Sequence, residues 1–197
     1  MAQFLRIEDP NRTSLLTSKT QQAQLWFVNN MPLHHAICGY LAKYQLKYKV
    51  ILYAFVIQGN HFHICARFPY SNRAAFMRDF KSAFQRCLKQ HQPLFGDGIL
   101  WARRYSEEEL PNPADIEQKV FYCALQAVNS GLCADISQYN GYNSFNDAIS
   151  DTPRSYKVFD SQSYQRDLRC NKRVRRKDYY RVYSLEFARI PGRENDS

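Results

Sequence analysis

Val56-Ile57-Gln58-Gly59-Asn60-His61-Phe62-His63-Ile64-Cys65-Ala66 is the stretch whose reading decides the fold. An apolar run stops at Gln58-Gly59-Asn60, whose composition suits a tight turn, and a second apolar run follows. The pair reads as an antiparallel hairpin. Side chains on a strand alternate faces, so His61 and His63 point the same way while Phe62 points into the core. Two imidazoles fixed on one side of a sheet are a ready pair of metal ligands. An isolated His-x-His on an exposed strand is an ordinary polar pattern, so the meaning of this pair depends on what else converges on it.

Working outward, Tyr48 to Ile57 is apolar almost throughout and reads as a central strand. Before it, Asn30-Met31-Pro32 is a helix start, with Asn30 as cap and Pro32 in the first turn. Leu33, Ile37, Tyr40, Leu41 and Tyr44 then recur at helical spacing. Leu25-Trp26-Phe27-Val28 reads as a short buried strand, and residues 1–22 as a polar, irregular segment. After the histidines, Ser71-Asn72 caps a second helix reaching about His91, with Phe76, Phe80, Ala83, Phe84, Cys87 and Leu88 as its apolar stripe. Ile99 to Ser106 reads as a strand. Asn112-Pro113 opens a third helix that ends near Gly131. The order predicts an α+β fold, a ferredoxin-like antiparallel sheet with helices on one face. It divides into an N-terminal segment (1–22), a main domain (23–152) and a basic C-terminal extension (153–197).

The chain has 197 residues, a hydrophobic fraction of 45%, a formal charge of +9 and a pI near 9.3. That is enough for one well-formed core, and the basic excess favours a polyanionic partner, nucleic acid above all. Six cysteines stand singly, with no pair at the two-residue gap of a zinc or redox motif. No apolar run approaches the ~20 residues of a membrane span, and the start carries no signal pattern. These features predict a soluble, reducing, intracellular setting with no membrane partner.

On the third helix, Ile116, Val120, Cys123, Ala124 and Ala127 form the core face. Tyr122 and Gln126 lie four residues apart and share a flank. An amide oxygen is a fair ligand for a hard cation. If this flank covers His61 and His63, two imidazoles, one carboxamide and one phenol meet, a set suited to metal-assisted attack on a phosphodiester. Basic candidates for nucleic-acid contact are Arg78, Lys81 and Lys89 on the second helix, Arg103 and Arg104 after Trp101, and the Arg166 to Arg181 segment with Arg173, Arg175 and Arg176. Tyr105, Tyr179 and Tyr180 are candidates for stacking on unpaired bases. Tyr105 is also the rival nucleophile.

Three segments in this order resemble the REP-associated tyrosine transposases, within the single-tyrosine HUH endonucleases and transposases. They are Ile57-Gln58-Gly59-Asn60-His61-Phe62-His63, Gly98-Ile99-Leu100-Trp101-Ala102-Arg103-Arg104-Tyr105, and Tyr122-Cys123-Ala124-Leu125-Gln126-Ala127-Val128-Asn129-Ser130-Gly131-Leu132. The resemblance covers roughly residues 25–145. Where the family shows Met-Pro this chain has Gln58-Gly59, and where it shows Asn-Pro this chain has Gln126-Ala127. A glutamine keeps the carbonyl, and alanine lets the helix continue. The resemblance implies that His61, His63 and Gln126 hold Mg²⁺ or Mn²⁺. It implies that Tyr122 attacks phosphorus in single-stranded or hairpin DNA, giving a 5′-phosphotyrosine and a free 3′-OH. It also implies a bacterial, cytoplasmic, nucleoid-associated protein acting as a monomer or homodimer. Two other readings stay open: a non-catalytic DNA-binding protein on the same fold, and a replication initiator or relaxase, in which a lysine commonly follows the helical tyrosine.

Overall fold

Alternation along two adjacent strands, β1 (Thr13–Lys19) and β3 (His61–Arg67), sorts the sheet's side chains into two layers in this computed structural model, which describes residues 7–150, 153–170 and 173–192. With β2 (Ile51–Ile57) and β4 (Ser106–Leu110) they form a four-stranded sheet in the order β2-β3-β1-β4, every neighbouring pair antiparallel. Helix α1 (Met31–Tyr48) joins β1 to β2, and α2 (Arg73–His91) joins β3 to β4. This split β-α-β arrangement is the expected ferredoxin-like α+β fold.

The helices divide between the faces. Leu16, Phe55, Ile57, Phe62 and Ile64 pack with Leu33, Ile37, Phe80 and Phe84 of α1 and α2. Leu15, Tyr53, Val56, Cys65 and Leu110 pack with Ile116 and Cys123 of a third helix, α3 (Pro113–Asn129). The expectation that all helices share one face therefore holds for α1 and α2, while α3 covers the face that carries His61 and His63. Its start is as expected, with the Asn112 side chain accepting from the Asp115 N–H at 2.9 Å. The chain turns after it at Gly131 with φ +68°, a conformation that favours glycine.

Four other expectations are corrected. Residues 1–22 are not irregular throughout, because Thr13–Lys19 is a central strand. Buried on both faces, it shows no apolar-polar alternation for the sequence to reveal. Leu25 to Val28 is a turn rather than a buried strand; only Phe27 is buried, its N–H donating to Gly59 O at 3.0 Å. Between Ile99 and Ser106 only Trp101 bridges, to Thr20, and the strand proper is Ser106–Leu110. Its three glutamates are poor strand formers, and they suit an edge, where charge discourages further pairing.

The apolar β2 lies at the border of the sheet, not its centre. Its outer edge is covered: Ile57 N–H donates to Tyr142 O, Ser144 N–H to Phe55 O, and Ala188 N–H to Leu52 O.

The described part of the C-terminal extension is folded. After a short helix, α4 (Phe145–Ser150), β5 (Arg154–Phe159) pairs antiparallel with β6 (Tyr180–Leu185), with α5 (Ser161–Arg169) between them. Tyr156 and Leu185 enter the core beneath α1. The approach to α1 is close: a Cβ on Gly39 would meet Val158 Cγ2 at 3.0 Å. Lys172, part of the basic segment, lies outside the described residues.

One buried ion pair ties α2 to the sheet. The Arg73 guanidinium, 3% exposed, pairs with Glu107 of β4 and donates to Ser14 Oγ of β1 at 3.2 Å. Removing one partner of such a pair leaves a buried charge uncompensated. Arg73→Met is expected to lower the unfolding free energy by about 3–5 kcal/mol in chemical denaturation, and the double change Arg73→Met with Glu107→Leu to recover most of that loss.

Candidate active site

The register of β1 against β3 sets His63 opposite Thr17 and His61 opposite Lys19. Both imidazoles thus face α3, 4.9 Å apart between ring centroids. Behind them Phe62 is wedged against Phe80, Phe84 and Trp101 at centroid distances of 5.5, 5.4 and 5.4 Å, which fixes the strand from its other face. From above, α3 lays Tyr122 across His63, edge to face at 5.5 Å, and brings Gln126 Nε2 to 3.2 Å from both His61 Nε2 and Tyr122 Oη. The four residues singled out as nucleophile and ligands therefore meet in one cluster.

Hydrogen bonds orient the rings. The Asn60 amide nitrogen donates to Ala23 O, so its oxygen faces His61, whose Nδ1–H donates to it at 2.7 Å. That leaves His61 Nε2 unprotonated, accepting from the Gln126 amide nitrogen at 3.2 Å. His63 Nδ1 lies 2.7 Å from Thr17 Oγ1. With Nδ1–H donating to that oxygen, His63 Nε2 also presents a lone pair.

Burial, reinforced by Lys19, holds the His61 imidazolium pKa down at about 4. Burial, then His61, Lys19 and Lys119, holds that of His63 at about 3. Both rings are therefore neutral at physiological pH, the protonation state of a metal ligand. His63 Nε2 and Gln126 Oε1 are buried with no hydrogen-bond partner among the described residues. Buried polar atoms are nearly always paired, so two orphaned acceptors beside an imidazole nitrogen whose one neighbour is the Gln126 amide N–H fit a cation. Among the described residues no group of three His, Cys, Asp or Glu side chains gathers anywhere. A cation here would thus draw on His61, His63 and the Gln126 amide, with water or a phosphate oxygen completing the shell.

Tyr122 is 40% exposed, open to a substrate from solvent. Lys119 stands one turn earlier, its Nζ 5.6 Å from the Tyr122 ring centroid and 2.8 Å from Glu108 Oε1. Thr17, Lys19, Lys119 and Glu108 were not singled out from the sequence. Thr17 and Lys19 lie in the strand that gave no signal, and Glu108 follows the expected position of its strand.

The basic candidates are dispersed. Arg78, Lys81 and Lys89 line a groove with Arg86 and Trp101 on the outer side of α2, across the sheet from Tyr122. Lys81 is half-buried, its Nζ 5.1 Å from the Trp101 ring centroid and donating to Arg103 O, and burial pulls its pKa down to about 8. Arg103 and Arg104 are exposed where the chain passes the end of β1. Arg173, Arg175 and Arg176 are exposed on the C-terminal unit, Arg175 bonded to Asp178 and Arg176 lying over Phe159. Tyr105 is buried in the α1–α2 layer at 4% exposure. That corrects its reading as a base-stacking residue and removes it as a rival nucleophile, since its ring and hydroxyl offer no open surface.

No protein with a curated description matches the chain. Among solved structures, one described as "Structure of the REP associates tyrosine transposase bound to a REP hairpin" superposes with a TM-score of 0.61 at 19% identity, covering 76% of this chain and 86% of that one. At that identity the likeness shows a shared fold. No described helix is long and apolar enough to cross a membrane. Residues 16–115, half of the 197-residue chain, match the family described as "Transposase IS200 like". The match runs from β1 through the histidine strand to the start of α3, and the chain belongs to the IS200-like transposase family.

Proposed function

We propose that this chain is a metal-dependent single-stranded DNA endonuclease and strand transferase that cleaves near hairpins through a covalent tyrosine intermediate. The observation that carries the reading is the pair of orphaned acceptors, His63 Nε2 and Gln126 Oε1, beside the phenol of Tyr122. The solved structure of similar fold is described as bound to a REP hairpin, and the +9 charge suits a DNA partner.

In this reading His61, His63 and Gln126 hold Mg²⁺ or Mn²⁺, which when bound supplies Lewis-acid polarisation of the scissile phosphate. Tyr122 Oη attacks phosphorus. The new bond is Oη–P and the broken bond is P–O3′, so the products are a 5′-phosphotyrosine and a 3′-OH that has taken up a proton. The Gln126 amide N–H, already directed at Oη, stabilises negative charge that develops on the phenol oxygen as its proton leaves. The ammonium of Lys119 adds to that field. Because the phosphodiester energy is kept in the covalent link, the reverse attack by another 3′-OH rejoins strands without a nucleotide cofactor.

Incubated with Mn²⁺ and a labelled single-stranded hairpin oligonucleotide, the protein is expected to yield a covalent adduct that survives a denaturing gel. Tyr122→Phe and His63→Ala should each reduce it to background. Tight DNA binding with no adduct under any divalent cation would favour the non-catalytic DNA-binding alternative.

Thr17 acts only through His63, by holding its ring. Thr17→Val, nearly isosteric, is expected to weaken Mn²⁺ binding in calorimetry by about 10–100-fold while the circular dichroism spectrum stays unchanged. Unaltered affinity would mean that the His63 orientation owes nothing to that hydroxyl.

A further inference from the structure

A cavity of about 460 Å³ opens beside His61, between the turn at residues 25–29, the Gln58–Asn60 turn and the chain that follows α3. Its size lies within the ~300–1,000 Å³ of small-ligand sites. In a chain of net charge +9, no lysine, arginine, aspartate or glutamate among the described residues lines it. Leu25, Val28 and Leu132 form apolar walls and remain largely exposed.

The walls are held in place. Tyr139 donates its hydroxyl to Ile57 O at 2.6 Å, and its ring lies so close to Gly141 that a side chain there has no room. A Cβ on Gly59 would press on Leu25 Cδ2 and Val28 Cγ2 at 3.0 Å, so the bare backbone lets these two side chains pack directly against the turn. Gln58 lines the cavity, is 3% exposed, and has a buried amide nitrogen without a hydrogen-bond partner among the described residues. The terminal torsion of a glutamine is soft, so this NH₂ can turn to an acceptor that enters. Asn29 and Asn140 add neutral donors and acceptors at the wall.

We propose that this pocket receives one unpaired nucleobase of single-stranded DNA, the base next to the phosphate held at His61 and Gln126. The inference rests on the function proposed above and deepens it. A base is planar and uncharged, with apolar faces and an edge of donors and acceptors, so apolar walls with amides suit it and charged walls are not needed. Its phosphate has to stay outside the pocket. His61 belongs both to the pocket and to the candidate cation site, so a base seated here leaves its phosphate at that site. Gln58 is the residue that would read the edge of the base.

The test uses the full chain as Tyr122→Phe, which binds without cleaving, and hairpin oligonucleotides with unpaired flanks. Each flank nucleotide in turn is replaced by an abasic residue, and affinity is read by fluorescence anisotropy. One position is expected to lose about tenfold, the size of a lost base contact. Gln58→Leu and the surface change Leu132→Ala should each weaken the intact oligonucleotide and abolish the extra loss at that one position. Equal losses at every position, or a sensitive position indifferent to both variants, overturns the pocket, and an adduct formed by the wild-type chain then leaves the nuclease reading standing. A sensitive position coupled to Gln58, with no adduct from the wild-type chain, upholds the base pocket and removes the chemistry. A chain that binds none of the oligonucleotides overturns both.

Discussion

Two neutral imidazoles fixed on one face of a strand, beneath a helix that carries an amide and a phenol, are the constraint on which the site depends. Leaving His63 Nε2 and Gln126 Oε1 without partners costs stability, about 1–3 kcal/mol for each buried unsatisfied group. A fold has no structural reason to keep such a cost, and sites that bind something are where it is usually met. Nothing in the packing alone calls for these two acceptors, whereas a cation with a phosphate oxygen beside it satisfies both.

The two faces of the sheet divide the work. On one, Phe55, Phe62, Phe80 and Phe84 interlock with Trp101 beneath α1 and α2 and set the histidine strand in a rigid bed. On the other, α3 covers the sheet thinly, so that Ile116 and Cys123 are buried while Tyr122 on the same helix stays open to solvent. Because β3 is paired on both sides, by β1 and β2, the backbone that carries the two histidines is fixed in the sheet. For the proposed chemistry such a bed would set the geometry before substrate arrives, which is what electrostatic stabilisation of a developing charge requires. The apolar pocket beside His61 continues this face toward the end of α3, where no charged side chain among the described residues lines it and where the proposed base would sit.

Much of this was legible in the sequence. Period-2 alternation in His61-Phe62-His63 gave the faces, four-residue spacing gave the Tyr122–Gln126 flank, and Asn30, Asn112 and the prolines gave helix starts. What escaped had physical causes. β1 is buried on both faces and so shows no alternation, and with it went Thr17 and Lys19. β4 is built of glutamates that no propensity favours in a strand; the partner strand and the cations Arg12, Arg73 and Lys119 explain them. Leu25-Trp26-Phe27-Val28 looked like a strand because its residues are apolar, but Leu25 and Val28 line an open pocket instead of a core. Tyr105 reads from the sequence as a stacking candidate and rival nucleophile, and tertiary packing buries it.

The most direct test of the central claim is the identity of the residue that becomes linked to DNA. After reaction with Mn²⁺ and a hairpin oligonucleotide, nuclease trimming and proteolysis should leave one peptide carrying a nucleotide remnant, detectable by mass spectrometry. The account predicts that peptide to contain Tyr122, with the remnant attached through a 5′-phosphate on its phenol oxygen. A remnant on any other residue, or one attached through a 3′-phosphate, would contradict the site as built from His61, His63, Gln126 and Tyr122.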